Sequence, residues 1–270
     1  MRFISLSAVV SLVLLGVLGA RPARAAAFAA FADGESFTYR VGWGIFPRAG
    51  EITIAAHEEK DEHGAAVFHI TTDTATRGFV RGFYSYNNRA EAMIDRQTGR
   101  LTFMREKGSD GGQHRTDTET TFDYVRNIAW HVDHFRPDRS QQVAIPAGDP
   151  IDLISALVQT REWNLKPGQK KDVLVNFSNE FYPLAIYADH YEEVRTPMGA
   201  YRALLLIPRM EQNPKGIFKR GGEIKVWISQ GEQKLPVKMQ LKLRFGSAVL
   251  WLSKYQRSAP AAPPSRKPGD

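Results

Sequence analysis

The sequence predicts a mainly β protein, a strongly curved antiparallel sheet or open β-barrel of about a dozen strands with one central α-helix packed on the concave face. Three observations carry this expectation. From Asp33 to Gln256, apolar and polar residues alternate with period two, in segments rich in β-branched and aromatic side chains that are separated by turn signals. Only the segment around residues 149–163 has helical spacing. The 29 aromatic residues (15 Phe, 9 Tyr and 5 Trp) supply bulk either to fill the inner surface of such a sheet or to line a cavity in it.

The chain opens on Arg2, an apolar stretch from Phe3 to Leu18, the helix breakers Gly19 and Pro22, and Ala23-Arg24-Ala25. This is the pattern of a signal peptide over residues 1–25, cleaved after Ala25, with an uncleaved anchor as the alternative. Residues 26–257 then read as a single exported β-rich domain. Ser36 to Gly44 and Gly50 to Glu58 form a strand pair around Pro47, and Ala65 to Thr74 continues the set. Tyr84 to Ile94 and Leu101 to Glu106 flank the turn Asp95-Arg96-Gln97-Thr98-Gly99. Asp117 to Val125 and Ile128 to His134 follow. The helix is placed by Asp149 as N-cap, Pro150 at the first helical position, and Ile151, Leu153, Ile154, Leu157 and Val158 on one face. Strands resume beyond Pro167-Gly168 as Lys170 to Phe177, Leu184 to Val194, Tyr201 to Met210, Glu223 to Ser229, Leu235 to Phe245 and Ala248 to Tyr255. Residues 258–270 carry four prolines and no large apolar side chain, the composition of a disordered Pro-rich tail.

Composition narrows the function classes. The formal net charge is +7, but Arg2, Arg21 and Arg24 belong to the signal, which leaves 33 Lys and Arg against 29 Asp and Glu. No long basic run remains to follow a phosphate backbone, so nucleic acid is not an expected partner. The absence of cysteine excludes disulfides, thiolate metal sites, iron–sulfur clusters and a Cys nucleophile. After the signal, no apolar run is long enough to span a bilayer as a helix, and no transmembrane segment is expected in the mature chain.

Several motifs in a fixed order carry a family resemblance. They are Gly42-Trp43-Gly44 and Ala49-Gly50 following Glu35, the hairpin Glu91 to Phe103, and the helix Asp152-Leu153-Ile154-Ser155-Ala156-Leu157 ending in Arg161. Tyr182-Pro183-Leu184, Thr196-Pro197-Met198-Gly199, Gly216-Ile217-Phe218, Trp227-Ile228-Ser229 and Leu235-Pro236-Val237 continue the series. From about Asp33 to Tyr255 the chain resembles the bacterial exported domain-of-unknown-function family numbered 3108, departing from it at Val158, where that family carries an aromatic. The resemblance implies a periplasmic protein of unestablished activity, with a fold analogy to the half-barrel periplasmic lipoprotein carriers.

Candidate chemistry was weighed residue by residue. In His131-Val132-Asp133-His134 the two histidines fall on opposite strand faces, so they do not converge on a metal without a bulge. His57-Glu58-Glu59 with His63 lacks the i, i+4 histidines of a zincin. In Asp189-His190-Tyr191-Glu192 the polar residues split between both faces, and acid–base chemistry would need outside partners. Ser155 has no nucleophile elbow, and Gly42-Trp43-Gly44 lacks the remainder of a dinucleotide fingerprint. No catalytic residue, metal site or cofactor is therefore assigned. Asp152 and Arg161 complement the two ends of the helix dipole, and their spacing leaves them on different faces.

The leading expectation is a non-catalytic periplasmic protein that binds a hydrophobic or amphipathic envelope component, a lipid or an acylated protein, in the open barrel beneath the helix. Arg161 would hold an anionic head group from the helix. Arg77, Arg81 and Arg89, interleaved with Phe83, Tyr84 and Tyr86, would do so at the rim. A scaffold that engages another envelope protein and a metal-independent hydrolase using Asp152, Asp189 or Glu192 are the alternatives.

Overall fold

Side-chain alternation decides which face of each strand is covered, and the computed structural model shows two ways of meeting that demand within one sheet. It describes residues 30–257, apart from 112, 113, 178, 179, 216, 217, 244 and 245. The expected signal peptide and Pro-rich tail lie outside the described residues.

The first half of the chain contains β1 (Glu35–Trp43), β2 (Phe46–Lys60), β3 (Ala66–Thr76), β4 (Tyr86–Asp95), β5 (Leu101–Asp110), β6 (His114–Asp123), β7 (Ile128–Asp133) and β8 (Gln141–Ala144). The second half contains β9 (Ile151–Asp152), β10 (Lys170–Phe177), β11 (Glu180–Thr196), β12 (Gly199–Arg209), β13 (Glu223–Ser229), β14 (Pro236–Leu243) and β15 (Gly246–Gln256). All 15 strands form one sheet in the order β8-β7-β6-β5-β4-β3-β2-β1-β15-β14-β13-β12-β11-β10-β9. The chain thus starts in the middle, runs outward to one edge, crosses to the other edge and returns, with β15 closing on β1. Residues 145–150 are all that separates β8 from β9, so the two edges lie near each other without pairing. Arg100 Nε bonds Asp149 Oδ1 at 2.7 Å on this connection. The result is a curved, unclosed sheet, as the alternation predicts.

Two short helices interrupt the strands: α1 (Gly78–Phe83) and α2 (Leu153–Gln159). The expected start of α2 at Asp149 is corrected. Ile151 and Asp152 pair in parallel with Val175 and Asn176 as β9, and Asp152 rather than Asp149 is the N-cap. Its Oδ1 accepts from the backbone N–H of Ile154 at 2.9 Å and of Ser155 at 3.0 Å. Strand pairing claims these residues before the helix starts, which periodicity alone does not reveal.

In the first half the core is one-sided. Ile54, Thr72, Ala90, Glu106 and Thr118 are cross-strand partners on the inner face; Thr53, Asp73, Arg89, Lys107 and Asp117 are partners on the outer face. In the second half consecutive residues are buried: Leu184 to Ile186, Ala203 to Leu206, and Val226 to Ser229. There β11 packs across β14 and β15 as well as pairing with β10 and β12, so the sheet rolls over itself and covers both faces. Phe37, Tyr39, Ile54, Phe68, Leu206, Val237 and Leu252 belong to one apolar cluster that joins the halves. These side chains occupy the interior that the sequence reading reserved for a ligand.

Candidate functional site

The outer face of the first half forms a groove of about 640 Å³. Register builds it: Asp73 pairs with Arg89, Arg89 with Lys107 and Lys107 with Asp117, so these side chains stand in a row across β3, β4, β5 and β6. Arg77, Glu51, Asn87, Arg115 and Phe135 complete its walls. Arg89 holds Asp73 with Nη1 at 3.1 and 3.2 Å and Glu91 with Nε at 2.8 Å; the Glu91 bond chiefly raises the guanidinium pKa above its ordinary value. Arg77 Nη2 donates to Glu51 Oε1 at 3.1 Å, and Lys107 Nζ lies 3.6 Å from Asp117 Oδ2. The guanidinium of Arg115 stacks on Phe135 at 4.8 Å from the ring centre, with no acidic partner among the described residues. Among the lining residues four cations thus face the carboxylates of Glu51, Asp73 and Asp117, with Glu91 outside the lining taking a further bond of Arg89. An anionic group could displace part of this pairing, binding most readily at Arg115.

A corner of exposed rings closes one end of the groove. Arg77 is the residue preceding α1, and Arg81 within α1 donates from Nη1 to Thr76 O at 3.2 Å and to Asn87 Oδ1 at 3.1 Å. No residue of α1 is buried. Phe79 and Phe83 lie 5.4 Å apart, each 6.2 Å from Phe46 at the start of β2. Positive φ at Gly44 (54°) and Gly78 (56°) makes the reversals that bring the β1–β2 turn and α1 together. Tyr84 and Tyr86 stack in nearly parallel planes, 6.5 Å apart, and a hydrogen bond with Asp110 helps push the Tyr84 hydroxyl up to about 12.

Six of the seven expected ligand-binding residues, Arg77, Arg81, Arg89, Phe83, Tyr84 and Tyr86, therefore lie together at α1 and the neighbouring groove. Arg161 lies apart, in a second cleft of about 280 Å³. Its Nη1 donates to both oxygens of Glu35, at 3.0 and 2.9 Å, and to Ala30 O at 3.0 Å, while Nε donates to Gln233 O at 3.0 Å. Glu35 is fully buried and also accepts from Tyr255 Oη at 2.6 Å and from the Ala32 N–H at 3.0 Å. Arg161 thus ties the end of α2 to β1, to β15 and to the hairpin between β13 and β14. Sequence reasoning missed Glu35, although the alternation Glu35-Phe37-Tyr39 already puts it on a buried face.

The residues weighed for catalysis are engaged elsewhere. Trp227 Nε1 donates to Glu192, and His190 Nδ1 lies 2.8 Å from Asp189 on an exposed strand surface. His131 Nδ1 is 3.0 Å from the Thr120 hydroxyl, and burial lowers its pKa. His134 faces Glu119 at 3.5 Å. Ser155 is fully buried, and the Asp152 carboxyl pKa is raised by burial. Among the described residues, no three His, Asp or Glu side chains gather as a metal site.

The groove also contains residues that the sequence reading did not single out: Lys107, Arg115, Asp117 and Phe135. Only strand register brings them together, and the charged row of Asp73, Arg89, Lys107 and Asp117, two cations between two acids, is visible only after the strands are aligned.

Comparison with known proteins agrees with this architecture. A family model described as "Protein of unknown function (DUF3108)" matches residues 38–253, and the chain belongs to that family. A solved β-barrel-like protein of domain of unknown function DUF1849 from Brucella abortus is similar in fold, with a TM-score of 0.51 at 5% identity over 84% of this chain and 98% of that one. A "putative lipoprotein" from Parabacteroides distasonis aligns with a TM-score of 0.32 at 8% identity over 85% of this chain and 98% of its own. No curated protein matches. The chain thus belongs to a family of unknown function, and its likeness to the Brucella abortus protein shows the fold alone.

Proposed function

We propose that the protein is a non-catalytic, periplasmic binding protein for an amphipathic cell-envelope component that carries an anionic head and an acyl chain, a lipid or an acylated protein. One observation carries the reading: Arg77, which lines the groove together with Arg89, Lys107 and Arg115, immediately precedes α1, whose exposed Phe79 and Phe83 rings stand against Phe46. The head exchanges its water for charge-assisted bonds to arginine, and the chain buries apolar area against the rings at about 25 cal/mol per Å². In this reading the ligand sits at the α1 corner and the neighbouring groove, a choice supported by the apolar cluster in the barrel interior. The export pattern of residues 1–25 supports the periplasmic address.

The test is to purify the protein from a periplasmic fraction without detergent, compare native with denatured mass, and analyse an organic extract. A co-extracted acyl-bearing anion supports the reading and identifies its source, as free lipid or as a protein-linked chain. A protein that is empty as purified and stays empty after incubation with envelope lipids overturns it.

A further inference from the structure

Five of the large apolar side chains that the fold leaves exposed gather at one corner: Trp43 (38% exposed), Ile45 (88%), Phe79 (77%), Phe83 (63%) and Tyr84 (43%). They project from two reversals, the β1–β2 turn and α1, held together by the Phe46, Phe79 and Phe83 rings. A helix of six residues with none buried obtains little stability from its own hydrogen bonds. Its position is set by contacts with β2, among them Phe79 and Phe83 on Phe46, and both of these rings stay largely exposed.

Charge distinguishes what could cover this corner. Residues 40–51 and 76–86 hold four arginines, Arg40, Arg48, Arg77 and Arg81, against one acid, Glu51, which Arg77 already engages. Arg48 has no acidic partner among the described residues and is exposed. Asp110, which bonds Tyr84, is a second acid at the corner, so Arg48 and Arg81 carry its excess positive charge. An apolar tip of Phe, Ile and Trp beside these two arginines is the composition of an element that rests at a bilayer interface. The rings sink to the acyl boundary, and the cations remain at the level of the head groups. Anionic lipid strengthens this by attracting each Arg near the surface.

We infer that the α1 corner docks the protein onto an anionic membrane surface, with Ile45, Phe79 and Phe83 as the inserting side chains and Arg48 and Arg81 on the phosphate level. The inference concerns how the protein meets the bilayer; it shares Phe79 and Phe83 with the ligand reading, and Ile45 and Arg48 against Arg89 and Lys107 tell the two apart. It commits to a lipid surface; a protein partner or a second copy of the chain is an outcome of the test.

The experiment is co-sedimentation of the periplasmically purified protein with phosphatidylcholine vesicles, with and without phosphatidylglycerol. The expected result is binding to the phosphatidylglycerol vesicles that weakens with salt and falls about tenfold or more in Phe79→Ser/Phe83→Ser. Ile45→Ser, on a separate element, reduces binding independently and covers the case in which the double variant misfolds. Arg48→Glu lowers the preference for phosphatidylglycerol. Arg89→Ala/Lys107→Ala alters the groove but keeps vesicle binding, which separates this inference from ligand binding. Wild-type protein that stays in the supernatant overturns the inference, as do Phe79→Ser/Phe83→Ser and Ile45→Ser variants that sediment like wild type. A wild-type dimer that dissociates in the Phe variants, without vesicle binding, assigns the corner to a second copy and equally overturns it.

Discussion

From Phe68 to Thr72 in β3, every second residue is buried, whereas in β12 Ala203, Leu204, Leu205 and Leu206 are all buried in succession. Both are inner strands of the same sheet. The second half rolls β11 across β14 and β15 and buries both faces of segments such as Leu184 to Ile186 and Ala203 to Leu206, leaving Asp189, His190, Glu192 and Glu193 exposed; the first half leaves one face to water and lines it with charge. The difference assigns the two halves different work. Strands buried on both faces supply stability and have no surface for a ligand, while strands buried on one face have an outer row of side chains open to selection for binding.

The largest break in this comparison falls at the seam. Arg161→Ala leaves the fully buried Glu35 carboxylate without its cation and is expected to cost about 3–5 kcal/mol in denaturant unfolding. The paired change Glu35→Gln/Arg161→Met recovers much of that loss, because the burial penalty of both charges disappears together. Next come adjacent truncations. Leu204→Ala and Leu205→Ala point to opposite faces, and each is expected to cost about 2–5 kcal/mol. The neighbouring pair in β3 behaves differently: Ile70→Ala costs a similar amount, but Thr71→Ala stays within about 0.5 kcal/mol. Equal costs for Ile70 and Thr71 would erase the distinction between the halves.

A smaller effect sharpens the account of α2. Burial raises the Asp152 pKa, so the folded protein favours the protonated acid. The stability linked to that protonation is fully present below the ordinary aspartate pKa and is lost as pH rises through the raised value. Asp152→Asn keeps an acceptor for the Ile154 and Ser155 N–H groups and removes the buried charge. Its unfolding midpoint is expected to exceed that of wild type at neutral pH, with the gain shrinking as pH falls from the raised value to the ordinary aspartate pKa. A variant less stable than wild type at neutral pH contradicts this. The smallest stability effect is expected in the groove, where Arg89→Ala and Lys107→Ala remove half-exposed charges and shift unfolding by about 0.5 kcal/mol or less.

The same contrast governs what the sequence disclosed. Period-two alternation located the one-faced strands, and the same reading placed a strand over Tyr201 to Met210 without disclosing that Ala203 to Leu206 are buried in succession. Gln141 to Ala144, only four residues long and opening on two glutamines, shows no alternation and was missed as β8. Gly78 to Phe83, six residues with two glycines, shows no helical period and was missed as α1. The rim cluster from Arg77 to Arg89 was legible because its residues are close in sequence. The Glu35–Arg161 pair spans 126 positions, and the row Asp73, Arg89, Lys107 and Asp117 crosses four strands, so both depend on register that no local pattern encodes.

The central claim is that the one-faced half carries an amphipathic ligand in its cationic groove. Its most direct measurement is the native mass of wild type beside Arg89→Ala/Lys107→Ala, both purified without detergent and matched in unfolding midpoint. The account predicts extra mass on the wild type, assigned by extraction to an acyl-bearing anion, that is lost or sharply reduced in the variant. The same extra mass on both proteins, or on neither, would contradict it.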